Sequence, residues 1–210
     1  MDEFNYKEQM DEFYSKISGF VSKREDILAE LMEKERIFST LRMDETDKKK
    51  IFFDWFIFDC KSSVFSENLL QHFLDSEPLA ADAKELYRGF LDNVYSVFEV
   101  KALRTGKEMI IRDLLNDKEY NVKETTLTRH LQKGQCALVR ILPFHGYYIL
   151  TGIGHVFPME STAIIKLFMR NKKKSAKKRN LNPLEICEIF FAQDQRERLP
   201  VQERFKLFCQ

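Results

Sequence analysis

The apolar positions of this chain fall into three textures. From residue 1 to about 95 they recur at steps of three and four, as in Phe13, Ile17, Phe20, Val21, Ile27, Leu28 and Leu31. That spacing lines one face of a helix. Ser18-Gly19 marks a break, with Ser22 placed to cap a second helix. The polar stretch 43–50 then leads into Ile51–Cys60, where seven of the first eight residues are Ile, Phe or Trp. A segment so apolar is buried on most sides. Aromatic content would also suit a strand, but Asp44 or Thr46 ahead of it is a helix start signal. Two further helices are expected, one capped by Ser66 and one opened by Ser76 and Pro78, the second burying Leu79, Ala83, Leu86, Tyr87, Phe90 and Val94.

From Val97 the period drops towards two, with turn residues at short intervals. Five strands are expected: Val97–Leu103, Glu108–Asp113, Glu119–Glu124, Gln135–Leu142 and Tyr147–Gly152. Such short strands suit a small barrel or a strongly curved sheet, with an open meander packed on the helices as the alternative. After Pro158 the helical period returns at Ile164, Ile165, Leu167 and Phe168, and Asn182-Pro183-Leu184-Glu185 starts a last helix with a capping box. Phe205 and Phe208 suggest a final packed turn. The expected class is α+β: a helical region over 1–95, a five-stranded antiparallel β-unit over 96–157 and C-terminal helices over 158–210. These form one compact protein rather than independent domains.

Asp54 and Asp59 interrupt the aromatic segment. Five residues on a helix turn through about 140°, so they are not expected to share a face or form a catalytic pair. Each is expected at solvent or at a backbone donor on the edge of the packing.

Several stretches resemble a known group. FFDWFIFD (52–59), SVFEV (96–100), RDLLNDKEYNVKE (112–124) and LVRILPFHGYYILTG (138–152) are similar to the body of uncharacterised bacterial proteins, some of which carry a SEC-C zinc motif. The resemblance covers roughly 45–158. It implies the helical-then-β architecture and no activity. The zinc motif is absent here, so zinc-dependent binding is not implied.

Composition narrows the function classes. The 210 residues can bury a sizeable core. Cys60, Cys136, Cys187 and Cys209 are scattered without a C-x-x-C pair, so no zinc site is signalled. Three of them have apolar neighbours and read as reduced thiols. The start is acidic, not a secretory signal, and no apolar run is long enough to span a membrane. A cytoplasmic protein is expected. Phosphate-loop, dinucleotide, nucleophile-elbow and metalloprotease motifs are missing, so no enzyme activity and no cofactor is expected. His72, His130, His145 and His155 read as surface, packing or loop residues. A metal at His145 and His155 with Glu160 or Cys136, and a Cys136–His130 nucleophile pair, are the sharper alternatives, and spacing supports neither.

One charge feature stands out. Arg170, Lys172, Lys173, Lys174, Lys177, Lys178 and Arg179 place seven cations in ten residues. The chain is +1 overall, so the remainder is −6. A run of this kind can neutralise several phosphates. Tyr120, Tyr147 and Tyr148, with Phe144, are candidate stacking faces on the neighbouring sheet. The expected function is therefore a non-catalytic protein that binds nucleic acid through the basic loop 170–180 and the β-unit. The alternative is a protein-interaction or self-association module using the N-terminal helices and the edge of the β-unit.

Overall fold

The computed structural model describes residues 6–38, 44–173 and 180–198. Five helices come first: α1 (Tyr6–Ser22), α2 (Glu25–Glu35), α3 (Glu45–Phe58), α4 (Leu69–Ser76) and α5 (Ala81–Gly89). Strands β1 (Val94–Arg104), β2 (Glu108–Asp113), β3 (Glu119–Lys123), β4 (Cys136–Phe144) and β5 (Tyr147–Val156) follow, and α6 (Thr162–Lys173) and α7 (Pro183–Arg198) end the described chain.

The aromatic segment is α3, and its start is the expected one: the Asp44 carboxylate accepts from the Thr46 N–H at 2.8 Å. This satisfies one of the orphan donors of the first turn. Ile51, Phe52 and Trp55–Phe58 are all buried. Phe38 closes on Phe52 and Trp55, each with ring centroids 5.6 Å apart. Phe13 of α1 meets Tyr87 at 5.0 Å and Phe90 at 5.3 Å. The last helix also starts as expected. Asn182 accepts from the Glu185 N–H and Glu185 accepts from the Asn182 N–H, both at 3.1 Å.

Three expected caps are replaced. Ser22 bonds back to the Gly19 carbonyl, and Arg24 precedes α2 with no side-chain cap. Ser66 sits at φ 65° in the loop, while Asn68 caps α4 by accepting from Gln71 N at 2.8 Å. Ser76 ends α4 instead of opening α5, which starts later, at Ala81, without a side-chain cap.

The β-unit is a closed barrel with strand order β1-β2-β3-β5-β4. Strands β1, β2 and β3 form a meander, and β4 returns to pair with β1. This is a Greek key. The expected all-antiparallel unit needs one correction, because β5 joins β3 in parallel at Val122↔Tyr148 and Lys123↔Ile149. Parallel pairing follows from closure: a fifth strand antiparallel to β4 can reach β3 only in β3's own direction. Alternation along the strands sorts side chains into two cores. Phe98, Val100, Met109, Ile111, Tyr120, Val122, Val139, Ile141 and Leu150 fill the barrel. Val97, Cys136, Leu138, Leu142, Phe144 and Ile149 face outward into a second core shared with all seven described helices.

Candidate nucleic-acid interface

The helices leave part of the barrel wall open. On β1 the outward Ala102 and Arg104 are exposed, as are Ile110 on β2 and Glu119, Asn121 and Lys123 on β3. Helix α6 borders this face. Its Lys166 Nζ lies 2.7 Å from Glu99 Oε1 on β1, and Lys101 Nζ lies 3.5 Å from the same carboxylate's other oxygen. Arg112 of β2 stands directly across the ladder from Glu99. Burial works to raise the Glu99 pKa, but the hydrogen bond and charge of Lys166, with Lys101, outweigh it and bring it below the usual carboxylate value. Three cations thus surround one acid where helix meets sheet. Arg170, one turn beyond Lys166, is exposed on the same helix.

The basic run follows directly. Lys172 Nζ is 2.5 Å from Glu188 Oε2 on α7. The far end of the run is pinned at Asn180, whose Oδ1 accepts from Tyr95 N at 2.8 Å, and Leu181 N donates to the Tyr95 carbonyl at 3.0 Å. Lys173 lies on α6. Lys174, Lys177, Lys178 and Arg179 lie outside the described residues, as do Cys209, Phe205 and Phe208.

The candidate aromatics are placed differently from one another. Tyr120 points into the barrel with 4% exposure, and burial pushes its hydroxyl up to about 12. Its ring meets the edge of half-buried Tyr148 at 4.9 Å. Phe144 is buried in the shared core. Tyr147 is half-buried, with Lys123 Nζ 3.8 Å from its ring centre. Tyr120 and Phe144 therefore give no stacking surface. Tyr147, covered by a cation, lies at the margin of the open face.

The carboxylates of α3 overturn the expectation that they lie apart and at the edge. Asp54 is 1% exposed and Arg140 of β4 is fully buried. Arg140 Nε donates to Asp54 Oδ2 at 2.7 Å, and its Nη2 donates to Asp59 Oδ2 at 2.5 Å. Asp59 is the residue that ends α3, at φ −124°. The helical rotation that separates positions 54 and 59 no longer holds there, and a guanidinium fork spans the remaining gap. Arg140 also donates to Asn93, and Asn180 donates to Asp59 at 2.7 Å and to Asn93 at 3.0 Å. The rings of Tyr95 and Phe58 lie 4.5 and 4.7 Å from the guanidinium. Burial disfavours the charged guanidinium, but the two carboxylates outweigh it and raise the Arg140 pKa. The assembly joins α3, β4 and the approaches to β1 and α7. Its groups hydrogen-bond one another and form a clasp between these elements.

Several other reactive side chains are engaged in packing or turns. Burial pushes the Cys60 and Cys136 thiols up to about 11, the reverse of what a nucleophile needs. His72 stacks on Phe65 at 4.1 Å, and His155 packs at 4.9 Å against both Phe157 and Phe190. Asp113 of the D-L-L stretch accepts from the Ser96 hydroxyl, Leu115 N and Asn116 Nδ2 at 2.5, 2.8 and 2.6 Å, which fixes the β2–β3 turn. Among the described residues no cluster of His, Cys, Asp and Glu could hold a metal ion, and no helix is long and apolar enough to cross a membrane. Sequence reasoning did not single out Lys101, Arg112 and Lys166, the cations around Glu99. For Lys166 the i, i+4 spacing from Arg170 was a signal; for Lys101 and Arg112 there was none.

No curated protein and no solved structure matches the chain. The profile of a family of unknown function, DUF7986, matches residues 4–195, which includes the helices and the barrel together. The chain belongs to that family of unknown function.

Proposed function

We propose that the protein is a non-catalytic, cytoplasmic nucleic-acid-binding protein. A single strand crosses the open β1–β2–β3 face, and its phosphates meet Lys166, Arg170 and the basic run that continues α6. The observation that carries this reading is the continuity of that surface: the cationic helix borders the uncovered wall of a five-stranded Greek-key barrel. Barrels of this kind include the OB-fold, whose β2–β3 face and rim loops bind oligonucleotides and oligosaccharides. Basic grooves that track the backbone are the usual partner of such a face. The likeness of residues 45–158 to the bodies of SEC-C-carrying bacterial proteins belongs to the same reading, without zinc.

The test is fluorescence anisotropy with a labelled oligothymidylate at low and moderate salt. The wild type is compared with a variant carrying Gln at Lys172, Lys173, Lys174, Lys177 and Lys178. Each phosphate contact contributes a log–log salt slope of about −0.7 on single strands. The expected result is steep wild-type binding and a shallower, weaker variant. Salt-insensitive binding, or none, refutes the reading.

A protein partner is the second reading, favoured by the charge balance of the same face. Arg104 pairs with Glu108 at 3.2 Å, and Arg112 donates from Nε to Asp117 at 2.7 Å. Ile110 is 41% exposed among them. Self-association in analytical ultracentrifugation that is unchanged in the lysine variant would select this reading.

A further inference from the structure

A different part of the barrel wall is interrupted. Along β4 and β5, Ile141 pairs with Leu150 and Val139 pairs with Gly154. Thr151, Gly152 and Ile153 therefore stand opposite the single residue Arg140. This is a large β-bulge, and bulges bend a strand out of its ladder and recur beside functional sites. Two glycines make it feasible. Gly152 sits at φ +81°, a conformation side chains rarely adopt. At Gly154 a Cβ would lie 2.5 Å from the Leu138 carbonyl oxygen and 2.8 Å from Val139 Cγ1. On its other side β5 pairs with β3 only as far as Ile149, because β3 ends at Lys123 and the chain turns into the short 3-10 helix Leu127–Arg129.

The strand thus leaves both neighbours at the same place, and a window opens into the barrel. Val139 and Leu150, core residues with 5% and 6% exposure, become the floor of a cavity of about 360 Å³. Small-molecule sites typically span about 300–1,000 Å³. Leu127, Ile153 and Val156 complete its apolar wall.

The rim supplies charge. Lys7 of α1 donates to the Thr126 hydroxyl at 3.1 Å, and exposed His130 stands on the same margin. The one acid in the lining, Glu124, is turned into the loop below. Its Oε1 accepts from Thr126 N at 2.6 Å and Leu127 N at 2.9 Å, and its Oε2 accepts from the Tyr6 hydroxyl at 3.4 Å. An apolar chamber with a cationic rim fits an amphipathic anion.

We propose that this window binds a small monocarboxylic acid, with its apolar body against Val139, Leu150 and Val156 and its carboxylate at Lys7 and His130. The site is separate from the nucleic-acid face and does not depend on that reading.

The test is isothermal titration of the full chain with octanoate, with 1-octanol as the uncharged control. Saturable one-to-one octanoate binding is expected, about tenfold weaker in Lys7→Glu, because a charge-assisted hydrogen bond is lost. Octanol should bind more weakly than octanoate and be indifferent to that change. Ile153→Trp should plug the window and abolish binding of both. Lys7 is exposed in the first turn of α1, so its variant should keep the wild-type thermal melt and decides the matter even if the tryptophan variant misfolds. Absence of saturable octanoate binding, or binding unaltered by Lys7→Glu, overturns the proposal.

Discussion

Two charged assemblies divide this molecule, and they use similar side chains for opposite ends. The Arg140 clasp is sealed: its guanidinium is fully buried, and both its carboxylates come from one helix. The Lys166–Glu99–Lys101 group on the barrel's open wall is half in solvent, with both lysines 35% exposed. Buried ion pairs lose hydration that they recover only from one another, so removing one partner is costly while the intact set adds little net stability. Exposed pairs are screened and contribute at most about 1 kcal/mol. The clasp therefore specifies how α3, β4 and α7 meet. The outer lysine–carboxylate pairs contribute little to the fold, which is what the proposed phosphate contacts require.

That contrast can be broken most sharply at Arg140. Arg140→Ala should cost about 3–5 kcal/mol in urea denaturation, because Asp54 is left buried and unpaired. Replacing the clasp by apolar groups, Arg140→Met with Asp54→Leu and Asp59→Asn, should recover much of that loss. If the single substitution costs less than the exposed-pair range, the clasp is not the determinant described here.

A smaller effect belongs to the ends of helices. Asn182→Ala removes one half of the capping box below the basic run and should cost about 1 kcal/mol. The pin of Asn180 on Tyr95 lies two residues away, so amide exchange at Tyr95 and Leu181 should quicken with it.

Acid should act through Glu30. Its carboxylate accepts from Ser62 Oγ at 2.5 Å, Ser63 N at 2.7 Å and Ser63 Oγ at 2.9 Å. Burial pushes its pKa up, but these three hydrogen bonds bring it below the ordinary value of 4.5. A group depressed on folding stabilises above its unfolded pKa, and that contribution is lost as pH falls through the folded value. Stability should thus drop below about pH 4.5, and Glu30→Gln should flatten this part of the profile.

The smallest effect is the most informative. Lys166→Gln with Arg170→Gln should change stability by less than about 0.5 kcal/mol. The same substitutions should weaken oligonucleotide binding. A large loss of stability would place α6 in the clasp's category and remove the contrast.

The sequence announced what is local. Asp44 and the 182–185 box signalled their own helices, and alternation located all five strands to within a few residues. The turns between those strands carry the positive φ of Gly106, Asp117 and Gly146. What it hid depends on closure. Nothing in β3 or β5 alone specifies a parallel seam, and the convergence of Asp54 and Asp59 on Arg140 joins positions more than eighty residues apart. Periodicity argued the wrong way there, because the helix ends at the second carboxylate. The lysine run was plain in the sequence. Its setting beside Glu99, Lys101 and Arg112 became visible only with the barrel folded, and so did the burial of Tyr120.

The most direct test of the proposed nucleic-acid surface is amide hydrogen exchange with and without a saturating oligothymidylate. The account predicts new protection over β2, β3 and the end of α6, with α1–α4 unchanged. Protection confined to the N-terminal helices, or none at any site, would contradict it.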